Sequence, residues 1–378
     1  MNILFITHET SRTGAPHVIL YFIQWIRKYH PQHKIYMVSL KRESISSSFE
    51  ALCDGFIELE DLKSSQNLGL KKQLLNKAGL LSEKTLKEKW FRIIKNWKIN
   101  VIHANTVISI PIGAEIKMAF DIKTLIAHVH ELEVIIQQKL PNLCKFDEHV
   151  SHYITASDLV RDNLIGNHNL PHHKVSRVYE CSTPLDSSFK KTAGLNDKIV
   201  VGASGTVHWR KGSDLFIQTA LQFCKLFPEV TIEFQWLGYC DPNEQLIIEK
   251  DLKKARLLDR VYFLGISNEP LEVFKNFDLF LLLSREDPFP LVAIEVGSIG
   301  IPIICFEDAT GTVEVLKNCG IIVPYLDTTA VALAINYYIL NHSLYQAHSN
   351  NIKSVFNQFT PDLICPQYYQ IITQIENR

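Results

Sequence analysis

Along this chain, short continuous apolar runs alternate with amphipathic stretches. Apolar runs of about four to eight residues suit strands buried on both faces of a parallel sheet. In the first half they predict strands over Ile3–Thr7, Ile35–Leu40, Val101–Asn105, Thr124–Val129, Tyr153–Ala156 and Val175–Tyr179. Helices fill the gaps, beginning after Gly14, where Val18, Phe22 and Ile26 recur at a spacing of four. The second half repeats the scheme, with strands over Ile199–Ala203, Thr231–Trp236, Val261–Leu264, Leu279–Leu283, Ile303–Phe306 and Ile321–Val323. Its helices include Ser213–Phe227 and Thr329–Leu340, and the tail after Thr360 is expected to be helical. Alternating β and α units imply an α/β fold with parallel sheets covered on both faces. Between the halves, Cys181–Asp197 has little periodicity and many turn formers. The chain therefore divides into a domain over 1–183, a linker over 184–197, a second domain over 198–360 and a tail over 361–378.

Composition narrows the function classes. A length of 378 residues exceeds one ordinary core. Lys plus Arg number 39 against 40 Asp plus Glu, a net charge of −1, which gives no support to nucleic-acid binding. The eight cysteines form no CxxC pair and no metal-ligand spacing, so no metal site is expected, and scattered thiols suit a reducing, cytoplasmic setting. Asn2–Thr7 is too short for a signal sequence and lacks a basic region before it. No apolar run reaches the 18 or so residues that a membrane span needs. One region departs from the average: Lys63–Lys98 carries ten cations against two glutamates, with Trp90, Phe91, Ile94 and Trp97 at helical spacing. That pattern describes either a helix in peripheral contact with an anionic membrane or an ordinary helix with a solvated basic face and a buried apolar stripe.

The densest chemistry lies in Asp278–Phe306, DLFLLLSREDPFPLVAIEVGSIGIPIICF. A buried strand leads into a polar loop, Ser284–Asp287, and Pro288 is suited to the start of a helix, where its missing N–H costs nothing. The helix, Leu291 to roughly Ile299, ends at Gly300 before the next strand. Ligands of open parallel sheets sit beyond the carboxyl ends of the strands, where helix starts offer unpaired N–H groups to a diphosphate. Asp287 and Glu295 can accept hydrogen bonds from different hydroxyl groups there. Asp287 could instead be a helix N-cap and Glu295 a solvated surface residue. The apolar surroundings LVAIEV weigh against the latter, since a buried carboxylate needs partners.

This segment resembles the retaining glycosyltransferases of family 4, whose signature is E-P-F-G-L-V-x-L-E followed by G-x-P. Here it stands as D-P-F-P-L-V-A-I-E, Asp287–Glu295, followed by Gly300-Ile301-Pro302. Asp287 is one methylene shorter than the usual glutamate, and Pro290 replaces a glycine and offers no N–H. The resemblance implies the GT-B fold, two Rossmann-like parallel-sheet domains facing each other across a cleft, with the tail crossing back to the first domain. A second matching stretch is Gly205–Gly212, similar to the family's G-R-x-x-x-x-K-G. Gly205, Lys211 and Gly212 match; Thr206 occupies the arginine position, and Arg210 stands next to Lys211 as an alternative cation.

The resemblance further implies a catalytic set of Asp287, Glu295, Lys211 and His130. Lys211 and Arg210 would stabilise the leaving diphosphate, Glu295 would hold the ribose hydroxyls, Asp287 the donor sugar, and His130 a sugar hydroxyl from the first domain. Donor contacts would also involve Gly14, Gly205, Thr206, Leu264 and Gly265 beside the base, and Phe289, Pro290, Leu291 and Val292. Each has a plainer reading: Gly14 as a φ-permissive hinge, Leu264 as core, the lysine and arginine as a solvated pair, and His130 as a structural histidine. His128 and His130 lie on one side of their strand, His103 is a weaker candidate, and Gly311–Glu314 is assigned packing. The implied reaction transfers a sugar from a nucleotide diphosphate, UDP ahead of GDP, to a hydroxyl-bearing glycan, lipid-linked or small-molecule acceptor. It needs no cofactor and, with no Asp-x-Asp pair in the chain, no divalent cation. A nucleotide-sugar epimerase and a non-catalytic nucleotide-sugar or glycan-binding protein are the alternatives.

Overall fold

A computed structural model describes residues 1–59, 83–183 and 198–377. The expected linker over 184–197, and the part of the basic region over 63–82, lie outside the described residues. The chain divides into two compact units, Met1–Cys181 with Pro361–Arg378, and Ser182–Thr360.

The first unit runs β1 (Asn2–Thr7), α1 (Gly14–Tyr29), β2 (Lys34–Ser39), α2 (Ser46–Leu52), β3 (Gly55–Glu58), α3 (Glu83–Asn96) and β4 (Val101–Asn105). It continues with α4 (Ile110–Phe120), β5 (Thr124–Val129), α5 (Glu133–Lys139), β6 (His152–Thr155), α6 (Asp158–Gly166) and β7 (Val175–Arg177). All strand pairs are parallel, in the order β3-β2-β1-β4-β5-β6-β7. The central strands β1, β4 and β5 are buried along nearly their whole length, which explains their unbroken apolar runs.

The second unit runs β8 (Ile199–Ser204), α7 (Ser213–Leu226), β9 (Ile232–Leu237), α8 (Pro242–Ala255), β10 (Val261–Gly265), α9 (Pro270–Phe274) and β11 (Leu279–Leu282). After these come α10 (Leu291–Ser298), β12 (Ile303–Phe306), β13 (Gly320–Val323), α11 (Thr328–Leu340) and α12 (His342–Phe356). Its sheet is also parallel, in the order β10-β9-β8-β11-β12-β13. The order reverses between β8 and β11, so the carboxyl ends of those neighbours form the crevice where doubly wound sheets take ligands. The last helix, α13 (Pro361–Glu376), packs on α1 of the first unit, where Tyr368 meets Phe22 and donates to the Tyr179 carbonyl at 2.8 Å.

One strand is unannounced, one helix start moves and one open alternative closes. β3, GFIE, is a strand that four residues with a glycine and a glutamate do not announce. The helix expected to begin near Pro288 begins at Leu291, with Pro290 as its N-cap. Phe289 is buried against Phe359, so Pro288 and Phe289 belong to a packed loop, and Asp287 does not cap the helix. On α3, Trp90 and Ile94 are buried while Phe91 and Trp97 pack against the same core, Trp97 stacking on Tyr36. The apolar stripe is thus spent on the interior, as in an ordinary amphipathic helix. No described helix is long and apolar enough to cross a membrane.

Candidate functional site

In the second unit, two loops meet beyond the ends of β8 and β11. The chain leaves β8 at Gly205, makes a short turn over Trp209–Lys211 and enters α7 through Gly212. His208 caps the turn, its ring accepting from the Arg210 N–H. The second loop, Ser284–Asp287, is laced to this turn residue by residue. The Arg285 N–H donates to the Arg210 carbonyl at 2.8 Å, the Arg285 side chain to the Trp209 carbonyl at 2.6 Å, and the Arg210 side chain to the Glu286 carbonyl at 2.7 Å. Arg285 also forms a bidentate pair with Asp214.

The centre of this lacing is an ion pair. Lys211 Nζ lies 2.6 Å from Asp287 Oδ2, which also accepts from the Ser284 hydroxyl at 2.8 Å. Arg210 stands 3.6 Å from Asp287 Oδ1. Burial pushes the Asp287 carboxyl up, but Lys211 and then Arg210 pull harder, and it titrates below the usual carboxylate range. Its backbone is fixed as well, with Asp287 N–H donating to the Ala309 carbonyl at 2.8 Å. The Lys211 stem runs beside Gly205, where a Cβ would lie 3.3 Å from its methylenes. Thr206 follows Gly205, so the second cation of this loop is Arg210.

Glu295 lies one turn inside α10. Burial raises its carboxyl above the ordinary value, and the Ser182 hydroxyl contacts Oε1 at 3.4 Å. Of the other donor candidates, Leu291 and Phe289 are buried, Pro290 and Val292 open α10, and Leu264 is exposed at the end of β10 rather than part of the core. Gly265 beside it has positive φ and open space where a Cβ would stand. Gly311 and Thr312 are buried in a turn capped by Thr310. Ser284 and Ser182, the hydroxyl partners of the two carboxylates, belong to no motif; their only signal is proximity in space.

In the first unit, Gly14 opens α1 and is exposed, and a polar cluster gathers near the ends of β1, β4 and β5. His103 and His128 are fully buried with no partner on any ring nitrogen among the described residues, and burial drives both toward the neutral form. Their rings meet edge to face with centroids 5.5 Å apart, and the His128 ring in turn lies tilted against that of His130 at 4.0 Å. His130 lies 2.7 Å from Glu180 through Nδ1 and 2.7 Å from Asn105 Oδ1 through Nε2. Thr106, with φ of 79° and ψ of 155°, is strained for a β-branched residue, and its hydroxyl meets His8 Nδ1 at 3.2 Å.

Glu131 Oε2 accepts from the backbone N–H of His130 at 2.9 Å and of Val107 at 3.3 Å. Burial nevertheless pushes its carboxyl up to about 7. The folded protein therefore keeps a proton that the unfolded chain releases near pH 4.5, the ordinary value. Its contribution is full below that value and is lost as pH rises toward 7. Glu131→Gln keeps both acceptor contacts without the titration. Wild type is expected to lose on the order of 3 kcal/mol relative to this variant between pH 4.5 and 7, read from urea midpoints at each pH. Parallel pH curves would contradict the assignment.

Residues 186–355 match the glycosyl transferases group 1 family. N-acetyl-alpha-D-glucosaminyl L-malate synthase of Bacillus anthracis is 26% identical over 306 residues, 76% of this chain and 77% of its own. The O-antigen biosynthesis glycosyltransferase WclY of Escherichia coli is 32% identical over 143 residues, 36% of this chain and 38% of its own. Among solved structures, Anabaena HepE in complex with UDP superposes with a TM-score of 0.79 at 18% identity, covering 99% of this chain and 100% of its own. The paired parallel sheets are thus those of GT-B glycosyltransferases, and the similarities support a group 1 glycosyltransferase.

Proposed function

We propose that the chain is a retaining, metal-independent glycosyltransferase of family 4 that moves a sugar from a nucleotide diphosphate to a hydroxyl acceptor. The observation that carries this reading is the buried Lys211–Asp287 pair, with Arg210 beside it, at the sheet's topological switch point. When the bond from the anomeric carbon to the diphosphate breaks, negative charge grows on the departing oxygen. Lys211 and Arg210 are pre-positioned cations for that charge, and fixed groups stabilise it without reorganising. Asp287 sets the position of Lys211 through Oδ2, while Oδ1 keeps only the longer Arg210 contact and would accept from a donor-sugar hydroxyl. Glu295, raised by burial and held by Ser182, would accept from the ribose hydroxyls. No side chain of this cluster is placed as a covalent nucleophile, which supports attack by the acceptor hydroxyl on the face that the diphosphate leaves. The structure of HepE with UDP-glucose supports a UDP-sugar as the first donor to try.

The test is a panel of UDP-, GDP-, ADP- and TDP-sugars, following nucleotide-diphosphate release by wild type and Glu295→Ala, each with and without EDTA. Slow release from one donor, kept in EDTA and reduced at least about tenfold in the variant, is the expected result. Release abolished by EDTA and restored by magnesium or manganese would overturn metal independence. Conversion of the donor sugar without nucleotide release would point to an epimerase.

A further inference from the structure

The helix α11, TTAVALAINYYIL, contains no charged residue. Val331, Ala332, Ala334, Ile335 and Tyr338 face the core of the second unit, as the inner side of a surface helix should. The opposite side is not polar. Leu333 is 52% exposed, Tyr337 53% and Leu340 71%. With the half-buried Ala330, the outward row reads Ala330, Leu333, Tyr337, Leu340, at spacings of three, four and three. A helix that is apolar all round is ordinarily covered on both sides. In the same unit α8 shows the usual alternative, turning Glu249, Lys250, Lys253 and Lys254 to solvent.

The spacing indicates what kind of surface covers α11. An apolar row that alternates three and four residues follows the repeat of a seam between two packed helices. The charge indicates whose helix it is. Helices that lie on an anionic bilayer carry lysines and arginines on their polar face. α11 has none, and α7, which packs beside it, has Lys225 alone. Seams that select a different partner place complementary charges beside the apolar row. At those positions α11 has Thr329, Ala334 and Asn336, all neutral.

The row is instead complementary to itself, because its spacing is the same from either end. Laid antiparallel on a second copy and centred at Ile335, Leu333 meets Tyr337 and Ala330 meets Leu340. The smallest side chain of the row thus receives the most exposed one. At the edge, Thr329 meets Asn341, and no like charges are brought together. A two-fold interface demands this reciprocity, in which each residue meets the partner that its own counterpart meets in return.

We propose that α11 is a self-association surface, through which two copies of this chain pair by antiparallel packing of Ala330, Leu333, Tyr337 and Leu340. The surface lies wholly within the second unit, and the proposal goes beyond the transferase reading without depending on it. One helix of this length per copy makes a small interface, so the dimer is weak and reversible.

Sedimentation velocity of the full chain over about 1 to 100 µM, the range of weak specific association, tests it. Wild type is expected to pass from monomer to dimer across that range. Leu333→Lys should weaken the dimer at least about tenfold, since each change is made twice at a two-fold interface. Its urea midpoint should stay at the wild-type value, because Leu333 is already half exposed. Two double variants test the orientation. Leu333→Lys with Tyr337→Glu sets opposite charges across an antiparallel seam, whereas Leu333→Lys with Tyr337→Lys sets like charges there. The first should dimerise at least about tenfold more tightly than the second. Equal affinities would overturn the antiparallel pairing. A wild type that stays monomeric to the top of the range overturns the proposal, as does a dimer that Leu333→Lys leaves intact. Co-sedimentation of monomeric wild type with phosphatidylglycerol-rich vesicles, lost in Leu333→Lys, would assign α11 to a lipid surface and overturn it equally.

Discussion

Lys211→Ala is expected to lower nucleotide-diphosphate release by roughly 100- to 1,000-fold, the usual cost of removing one pre-positioned group at a developing charge. The same change strands Asp287, which is 5% exposed and would keep Ser284 and the longer Arg210 contact alone. Breaking one side of a buried pair typically costs about 3–5 kcal/mol, so loss of activity alone would not separate catalysis from folding. Lys211→Met combined with Asp287→Asn removes both charges and should recover most of the stability in urea while leaving release slow. Recovery of release in that double variant would sink the catalytic assignment and leave Lys211 a structural partner.

A comparably large effect is expected at Gly212, this time on stability. Its φ is 76°, and an added Cβ would stand 2.0 Å from the Leu283 carbonyl oxygen at the end of β11. The turn carrying Lys211 and the loop carrying Asp287 touch there, so the chain cannot accept the carbon without parting them. Gly212→Ala should cost about 2–4 kcal/mol, from the left-handed backbone and the collision together. Gly166→Ala is the control, because no atom lies within 4 Å of its added Cβ and it sits in the last turn of α6. That variant should be neutral or slightly stabilised, as alanine is the better helix former. A Gly212→Ala midpoint within about 0.5 kcal/mol of wild type would contradict the close approach of the two loops.

Most strands were legible because a strand buried on both faces is a continuous apolar run, and β4, β5 and β12 coincide with their runs end to end. β3 was not, since Gly55 and Glu58 leave two apolar residues between them. The start of α10 was misplaced because Pro288 and Pro290 are both compatible with a helix entrance; burial of Phe289 against Phe359 decides between them, and Phe359 is remote in sequence. Helical spacing on α3 could not distinguish a membrane-facing stripe from a core-facing one, as the two differ only in what covers them. At the site, Lys211 and Asp287 each stood out in a motif, but the bond between residues 76 positions apart did not. Asn105 and Glu180 had no motif at all. Their contacts with His130 join residues 25 and 50 positions apart, a proximity that side-chain patterns cannot report.

The packing of α13 also orders events in time. Tyr368, Ile364, Cys365 and Ile372 are buried on the first unit, yet they follow the whole of Ser182–Thr360 in the chain. At typical synthesis rates of about 5–20 residues per second, the ribosome works for roughly 10 to 40 s between finishing Cys181 and delivering this helix. Throughout that interval the nascent first unit lacks the cover for Phe22 and His128 that Tyr368 later supplies. The half of the protein that is made first is therefore the half that is completed last.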